Sequence, residues 1–167
     1  LWGKMTFYEG SSHIPLVFSG TDIQSDVEIE SPCSIMDLGP TLCELADAPV
    51  PPEQDGISLK AALEAGDADS GRAVLSELLA DGNPARMVRW QHWKYIAYAT
   101  QPDDDQLFDL KTDPGEYCNC IEDHPEIAEE LRAIVDDGWD PPAIVAEHQR
   151  RQEHWKILGA WGRESGV

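Results

Sequence analysis

The chain has 167 residues, of which 41% are hydrophobic and 26% are charged, so it is long enough to bury the core of one ordinary domain. Asp and Glu total 32 against 12 Lys and Arg, which gives a formal net charge of −20 at pH 7. Such an acidic surface repels nucleic acid and acidic membranes, so we exclude both as partners. No stretch approaches the ~18–20 consecutive apolar residues of a membrane-spanning helix.

The acidic composition favours a solvated surface, suited to a high-salt cytoplasm, over the capture of calcium. The acidic run Asp103–Asp105 lacks the spaced ligands and the glycine of a calcium-binding loop. The cysteines do not complete a zinc site either. Only one residue separates Cys118 from Cys120, and no second pair or nearby histidine accompanies them. We therefore assign no metal ligand within this chain, and unpaired thiols favour a cytoplasmic location.

Lys4 is the first candidate for a functional side chain. Apolar bulk from Trp2, Phe7 and Tyr8 can desolvate its ammonium group, and a partly buried lysine needs an anion. The apolar run Ile14–Phe18 is typical of a buried strand, which predicts that Lys4 lies on a loop feeding a central sheet. Loops at the ends of such strands carry the sites of α/β proteins. From the residues alone, a solvated surface lysine is the open alternative.

A helix and a long connection follow. Ser34 resembles a helix N-cap with Asp37 at the capping-box position, and we interpret Asp37 as a cap rather than a catalyst. The helix carries one apolar stripe, formed by Ile35, Leu38, Leu42 and Leu45. Residues 49–71 are rich in Pro, Gly and Asp and predict a surface connection with one short helix over Leu59–Leu63. A boundary at Gly66–Gly71 divides the chain into residues 1–70 and 71–167.

The second part combines strands with helices. Short strands are predicted at Ala73–Leu78, Arg86–Trp90, Trp93–Tyr98 and Gln106–Leu110, and their short links favour an antiparallel meander. Helices follow at about 124–137 and 141–158, and we expect the first to pack across one face of the sheet. Trp155 and Trp161, near the end of the chain, either pack internally or contact a neighbouring subunit of a homo-oligomer.

Three strings near the start of the sequence, Trp2–Lys4, Tyr8–Ser11 and Ile14–Leu16, are similar to the pattern W-x-K-x-x-x-Y/F-E-G-[GS]-x-R-[VI]-P. In this they resemble a segment of the sulfatases in the alkaline-phosphatase superfamily. The lysine of that segment binds the sulfate group in the family, so the resemblance implies that Lys4 is a catalytic, substrate-binding residue. His13 stands where the family usually has arginine, which puts a structural ion pair in doubt because histidine cannot make a bidentate bond to a carboxylate.

The resemblance extends over nearly the whole chain, and arylsulfatase-like and choline-sulfatase-like members are the most similar in context. The matching stretches are Met36–Ala46, Asp55–Leu59, Lys94–Ile96, Gln106–Leu110 and Asp113–Glu116. The fold it implies is α/β, and α+β within this chain. Residues 1–70 would form the end of the α/β catalytic domain, and residues 71–167 a C-terminal subdomain with a small antiparallel sheet and packed helices.

The resemblance also implies an activity, the hydrolysis of small-molecule sulfate monoesters by a sulfuric ester hydrolase. The family uses a formylglycine made from the cysteine of C-x-P-x-R and a calcium ion held by Asp and Asn or His side chains. No cysteine or serine of this sequence starts that pattern. We therefore expect the nucleophile and the calcium ligands upstream of Leu1, and expect this chain alone to be inactive.

His92 is a second candidate for substrate contact. It lies in the tight link between two predicted strands, where the C-terminal sheet of the family approaches the substrate pocket. The other candidates among the histidines, His124, His148 and His154, lie on or beside amphipathic helices amid acidic residues, where a solvated or capping role is favoured.

Two alternatives to a sulfatase stay open at this point. A phosphonate or phosphate ester hydrolase of the same superfamily would share the lysine. A non-catalytic acidic binding module would keep the sulfatase-like sequence as a remnant, and it would fold stably as an isolated chain.

Overall fold

The computed structural model describes the backbone of residues 5–66 and 71–165 and, within these ranges, side chains up to residue 157. The strands are β1 (Ala73–Ala80), β2 (Asn83–Trp90), β3 (Trp93–Tyr98) and β4 (Gln106–Asp109). The α-helices are α1 (Glu9–Ser12), α2 (Leu38–Leu45), α3 (Lys60–Ala65), α4 (Pro125–Asp136) and α5 (Pro141–Ser165). Short 3-10 helices cover Ile35–Asp37 and Pro102–Asp104.

The four strands form one antiparallel sheet in the order β1-β2-β3-β4, as the short links between them predict. Ala80 pairs with Asn83 and Trp90 with Trp93, so two-residue turns close both hairpins. Both turns contain residues at positive φ, such as Gly82 at 81°, which matches the right-handed twist of the flanking strands. The predicted mixed fold with a small antiparallel sheet is confirmed.

Helix α4 seals one face of the sheet with apolar side chains. Side chains alternate along a strand, so Val88, Tyr95 and Leu107 point to this face. They meet Leu131 and Val135 of α4, both fully buried. The predicted packing of this helix across one face of the sheet is therefore confirmed.

A buried carboxylate locks α4 to the sheet. Asp105 is 5% exposed. It accepts hydrogen bonds from the Tyr95 hydroxyl at 2.6 Å, from the Tyr98 amide at 2.9 Å and from Arg132 of α4 at 2.6 Å. Burial and the hydrogen bond to Asp105 raise the pKa of Tyr95, so its phenol stays a donor at neutral pH.

The opposite face of the sheet is covered by residues 5–12, although this segment lies more than sixty residues earlier in the sequence. Phe7 is 6% exposed and packs in a cluster with Met87, Ile96 and Phe108. The Tyr8 hydroxyl lies 3.1 Å from Gln106 Oε1, and its ring meets Phe108 edge to face. The segment that follows Lys4 is thus part of the core of the sheet.

The buried strand predicted at Ile14–Phe18 is wrong for this chain. Those residues are irregular, and the side chains of Ile14, Leu16 and Val17 are 52%, 42% and 86% exposed. A strand forms only where a neighbour satisfies its backbone N–H and C=O groups. In the described part of the chain this run pairs with no strand, so its backbone groups gain no hydrogen-bond partners in a sheet.

The helix after Ser34 exists, but two of the four residues of its predicted apolar stripe are exposed, while Leu38 and Leu45 are half-buried. Ile35 and Leu42 are 68% and 57% exposed, whereas Asp37 and Thr41 are fully buried. The first turn is a 3-10 helix, and the Asp37 side chain completes the predicted capping box with Ser34. Its carboxylate also accepts hydrogen bonds from the Ile57 amide and from Arg72, each at 2.9 Å.

Gly56 makes the approach of the later loop to this carboxylate possible. A Cβ at this position would lie 2.1 Å from the Met36 carbonyl oxygen, so any side chain would push the two segments apart. The Asp37 carboxylate and Gly56 therefore join two motif stretches that lie about twenty residues apart.

The last helix, α5, runs for 25 residues, and Trp155 is 72% exposed. The Trp161 side chain and residues 67–70, on which the predicted subunit contact and part of the predicted boundary fall, lie outside the described residues. Among the helices in the described ranges, none combines the length and apolarity needed to cross a bilayer.

Candidate functional site

Lys4 lies outside the described residues, so the site can be built from residue 5 onward. Three residues after Lys4, Phe7 enters the core of the sheet, and the one-turn helix α1 follows directly. The structure describes how residues 5–12, which follow the candidate sulfate-binding lysine, are attached to the sheet.

Lys94 is the centre of this attachment. It lies on β3, where the alternation of side chains directs it to the face that Phe7 covers, and it is 1% exposed. Its ammonium group donates to the Phe7 carbonyl at 2.9 Å, to Glu9 Oε1 at 2.5 Å and to Glu116 Oε1 at 2.8 Å. Three strong acceptors use all the donors of a lysine.

Glu116 completes the cluster from the loop after β4. Its side chain is 3% exposed, and its second oxygen accepts a hydrogen bond from the Glu9 amide at 2.5 Å. Asp113 shapes the loop, because its carbonyl accepts from the Glu116 amide at 3.1 Å and its carboxylate from the Cys118 amide at 2.9 Å. We name Lys94, Glu9 and Glu116 the tether cluster, since they join the amino-terminal segment to the sheet.

Arg89 adds a second positive charge near the carboxylates of Glu9 and Glu116. Burial lowers the pKa of Arg89, on the neighbouring strand, while the carboxylates of Glu9 and Glu116 act in the opposite direction. His13 Nδ1 lies 2.9 Å from Glu9 Oε2. The histidine that replaces the family arginine therefore still meets a carboxylate, through one nitrogen only.

Sequence reasoning did not identify Lys94 or Glu116 as site residues. Both lie in stretches that resemble the family, Lys94–Ile96 and Asp113–Glu116, and Glu9 lies in the stretch Tyr8–Ser11. A lysine in a strand that is otherwise apolar was the available signal, because a buried ammonium requires carboxylates from elsewhere in the chain.

His92 lies where it was predicted, in the turn between β2 and β3, and its side chain is 38% exposed. Its ring packs on Trp93 at 5.0 Å, and its Nε2 lies 3.8 Å from Asp109 Oδ1. Trp93 and Asp109 are cross-strand partners on the face that α4 covers. The described contacts of His92 therefore lie on the opposite face of the sheet from the tether cluster.

The described residues supply support rather than reactive groups. Within residues 5–66 and 71–157, no group of three or more His, Cys, Asp or Glu side chains could hold a metal ion. The donors of Lys94 are already used by protein acceptors, so it cannot also bind a substrate anion. These residues do not fit a calcium ion, and the sequence has no C-x-P-x-R cysteine for a formylglycine.

Comparison with known proteins connects these features to a family. A family model described as N-sulphoglucosamine sulphohydrolase, C-terminal, matches residues 1–137. Arylsulfatase K of Mus musculus is 35% identical over 173 residues, which cover 92% of this chain and 30% of that protein. Choline-sulfatase of Rhizobium meliloti (strain 1021) is 35% identical over 162 residues, which cover 94% of this chain and 28% of that protein.

The fold is also shared outside the sulfatases. Phosphonate monoester hydrolase SpPMH from Silicibacter pomeroyi superimposes with a TM-score of 0.62 at 25% sequence identity, covering 90% of this chain and 31% of that protein. The two sulfatases have a higher sequence identity to this chain than the phosphonate hydrolase has, and the sulphohydrolase model covers most of the chain. The chain therefore belongs to the sulfatase family, in the C-terminal region that this model describes.

Proposed function

We propose that this chain is the C-terminal portion of a sulfatase that hydrolyses sulfate monoesters, and that Lys4 binds the sulfate group of the substrate. The observation that carries the proposal is the match of residues 1–137 to the C-terminal region of a sulphohydrolase. The chain spans less than a third of the two relatives, so the activity of the whole protein is part of the proposal.

The role of Lys4 follows from the charge of the substrate. A sulfate monoester carries negative charge on its non-bridging oxygens, and more charge develops on the leaving oxygen as the ester bond breaks. An ammonium group fixed beside these oxygens stabilises that charge without reorganising at the moment of reaction. The tether cluster holds the Phe7 carbonyl, which lies three residues after Lys4 in the sequence.

The remaining chemistry belongs to the preceding part of the proposed sulfatase. In this family a formylglycine provides the nucleophile, and calcium neutralises the sulfate oxygens. Neither fits the described residues of this chain. The chain on its own is therefore expected to be inactive.

Residues 1–70 are proposed to form the end of the catalytic α/β domain, and residues 71–167 the C-terminal subdomain. Exposed apolar side chains support this division, because they concentrate in the first part of the chain. They include Ile14, Val17, Ile35 and Leu42. We infer that the preceding part of the catalytic domain covers them.

His92 is retained as a proposed substrate contact. Its side chain is partly exposed at the tip of a hairpin, and its Nε2 lies 3.8 Å from Asp109 Oδ1. A His92→Ala variant of the complete sulfatase should raise KM several-fold with little change in melting temperature. Unchanged kcat and KM would remove His92 from the site.

The substrate class can be tested with the complete sulfatase that contains this chain. We expect turnover of an aryl sulfate to exceed that of an aryl phosphonate, and we expect Lys4→Ala to lower kcat/KM for the sulfate on the order of 100-fold or more. Lys111→Ala is the matched control, because Lys111 is exposed in the turn after β4. Preferred turnover of the phosphonate would support the phosphonate hydrolase instead.

A further inference from the structure

We propose that Lys94 and Glu116 are positioning residues that set the place of Lys4 in the sulfate site by holding the backbone of residues 7–9. This inference rests on the proposed function and extends it to residues in the C-terminal subdomain. It gives a role to a lysine that is buried on a central strand of the sheet.

The tether cluster holds backbone atoms as well as side chains. Lys94 donates to the Phe7 carbonyl oxygen at 2.9 Å, and Glu116 accepts from the Glu9 amide at 2.5 Å. Lys4 precedes Phe7 by three residues, which span about 10 Å at most when fully extended. The position of the Phe7 backbone therefore limits how far from the sheet Lys4 can lie.

The cluster is anchored to one of the two central strands of the sheet. Strand β3 lies between β2 and β4 and is paired along both edges. Lys94 and Glu116 are 1% and 3% exposed, so water does not compete for their hydrogen bonds. With every donor of the ammonium group used, a small shift of the segment would leave a buried charge without its partner.

Apolar packing alone would not fix the segment in the same way. Phe7 is buried against Met87, Ile96 and Phe108, but such contacts are non-directional and permit small sliding movements. Replacing a buried ionic cluster by apolar groups of similar volume is often neutral or stabilising, so stability alone gives no reason for it. Directional hydrogen bonds to the backbone at Phe7 and Glu9 provide a fixed position instead.

The test is a double-mutant cycle in the complete sulfatase, with kcat/KM for an aryl sulfate as the readout. Lys94→Met removes all three donors and keeps an unbranched apolar side chain. We expect it to lower kcat/KM on the order of 10- to 100-fold, as a displaced catalytic group does. In a Lys4→Ala background the same substitution should cost less than about threefold, because Lys94 acts through Lys4.

Controls separate positioning from folding. Lys111→Met applies the same substitution to an exposed lysine and should leave kcat/KM unchanged. Glu9→Gln is a milder variant that keeps the Glu9 amide bond to Glu116. It should lower kcat/KM several-fold in the wild-type background and cause no further loss in the Lys4→Ala background. This variant provides the test if Lys94→Met does not fold.

Three outcomes would overturn the inference, and they differ from one another. If Lys4→Ala leaves sulfate turnover intact, the proposed role of Lys4 fails and the positioning role fails with it. If Lys4→Ala is impaired but Lys94→Met and Glu9→Gln are not, only the positioning role fails. If the losses from the Lys4 and tether substitutions multiply, the tether cluster supports the fold independently of Lys4.

Discussion

The region around the sheet and α4 differs sharply from residues 14–65 in what it buries. In the first region, Val88, Leu107 and Leu131 are fully buried. In the second, Asp37 and Thr41 are fully buried, while Leu42 and Val17 are 57% and 86% exposed. The first region closes its own hydrophobic core. The second organises a polar interior and leaves apolar side chains for another surface to cover.

The segment at residues 5–12 follows the first region despite its position in the sequence. Phe7 and the tether cluster attach it to β3, whereas Ile14 and the residues after it leave the sheet and become exposed. The segment that follows the proposed sulfate-binding lysine is thus held by the region that closes its own core.

Matched leucine substitutions give the largest expected contrast between the two regions. Leu131→Ala should lower the free energy of unfolding of this chain by about 3 kcal/mol, because it leaves a cavity between α4 and the sheet. Leu42→Ala should change it by less than about 0.5 kcal/mol, since an exposed side chain loses little burial. Urea denaturation of both variants measures the difference. Equal costs would mean that the second region is also closed within this chain.

A polar substitution tests the second region from inside. Asp37→Ala should cost about 2 kcal/mol, because the Ser34 and Ile57 amides and the Arg72 guanidinium lose a buried acceptor. Proteolysis should become faster within residues 34–59 and stay unchanged in the sheet. Asp55→Ala, at an exposed position in the same region, is the control. Faster proteolysis across the whole chain would instead show that the two regions unfold as one cooperative unit.

The smallest expected effect is a loss of stability at alkaline pH, caused by Tyr95 in the first region. Burial and the Asp105 hydrogen bond raise the pKa of Tyr95, so its contribution to stability is complete below the unfolded pKa of ~10 and is lost as pH rises above it. Melting temperatures from pH 8 to 11 should fall more steeply for the wild type than for Tyr95→Phe. Parallel curves would contradict the shift.

Local sequence signals predicted the first region well because it is built from local contacts. Hairpin turns of two residues and the helical spacing of Leu131 and Val135 leave few alternatives for the sheet and α4. The strand at Ile14–Phe18 was wrong because an apolar run indicates burial without indicating whether the burying partner lies in the same chain. The stripe of Ile35 and Leu42 failed for the same reason.

The candidate site was predictable only in part. Motif resemblance indicated Lys4 and the family, but it could not indicate that the strings containing Glu9, Lys94 and Glu116 meet in space. Their sequence separations of 85 and 22 residues carry no periodic signal. Such a cluster becomes evident only from the fold, where β3 directs Lys94 toward the segment that Phe7 anchors.

Amide hydrogen exchange of the complete sulfatase that contains this chain tests most directly whether residues 5–13 are held on the sheet. The Glu9, Ser11, Ser12 and His13 amides donate to Glu116, Tyr8 or Glu9, so their exchange should be slowed along with that of β3. In Lys94→Met these amides should exchange much faster, while Lys111→Met should leave them unchanged. Wild-type amides that exchange as fast as those of Ile14 and Val17 would contradict the tether and the position it gives to the segment behind Lys4.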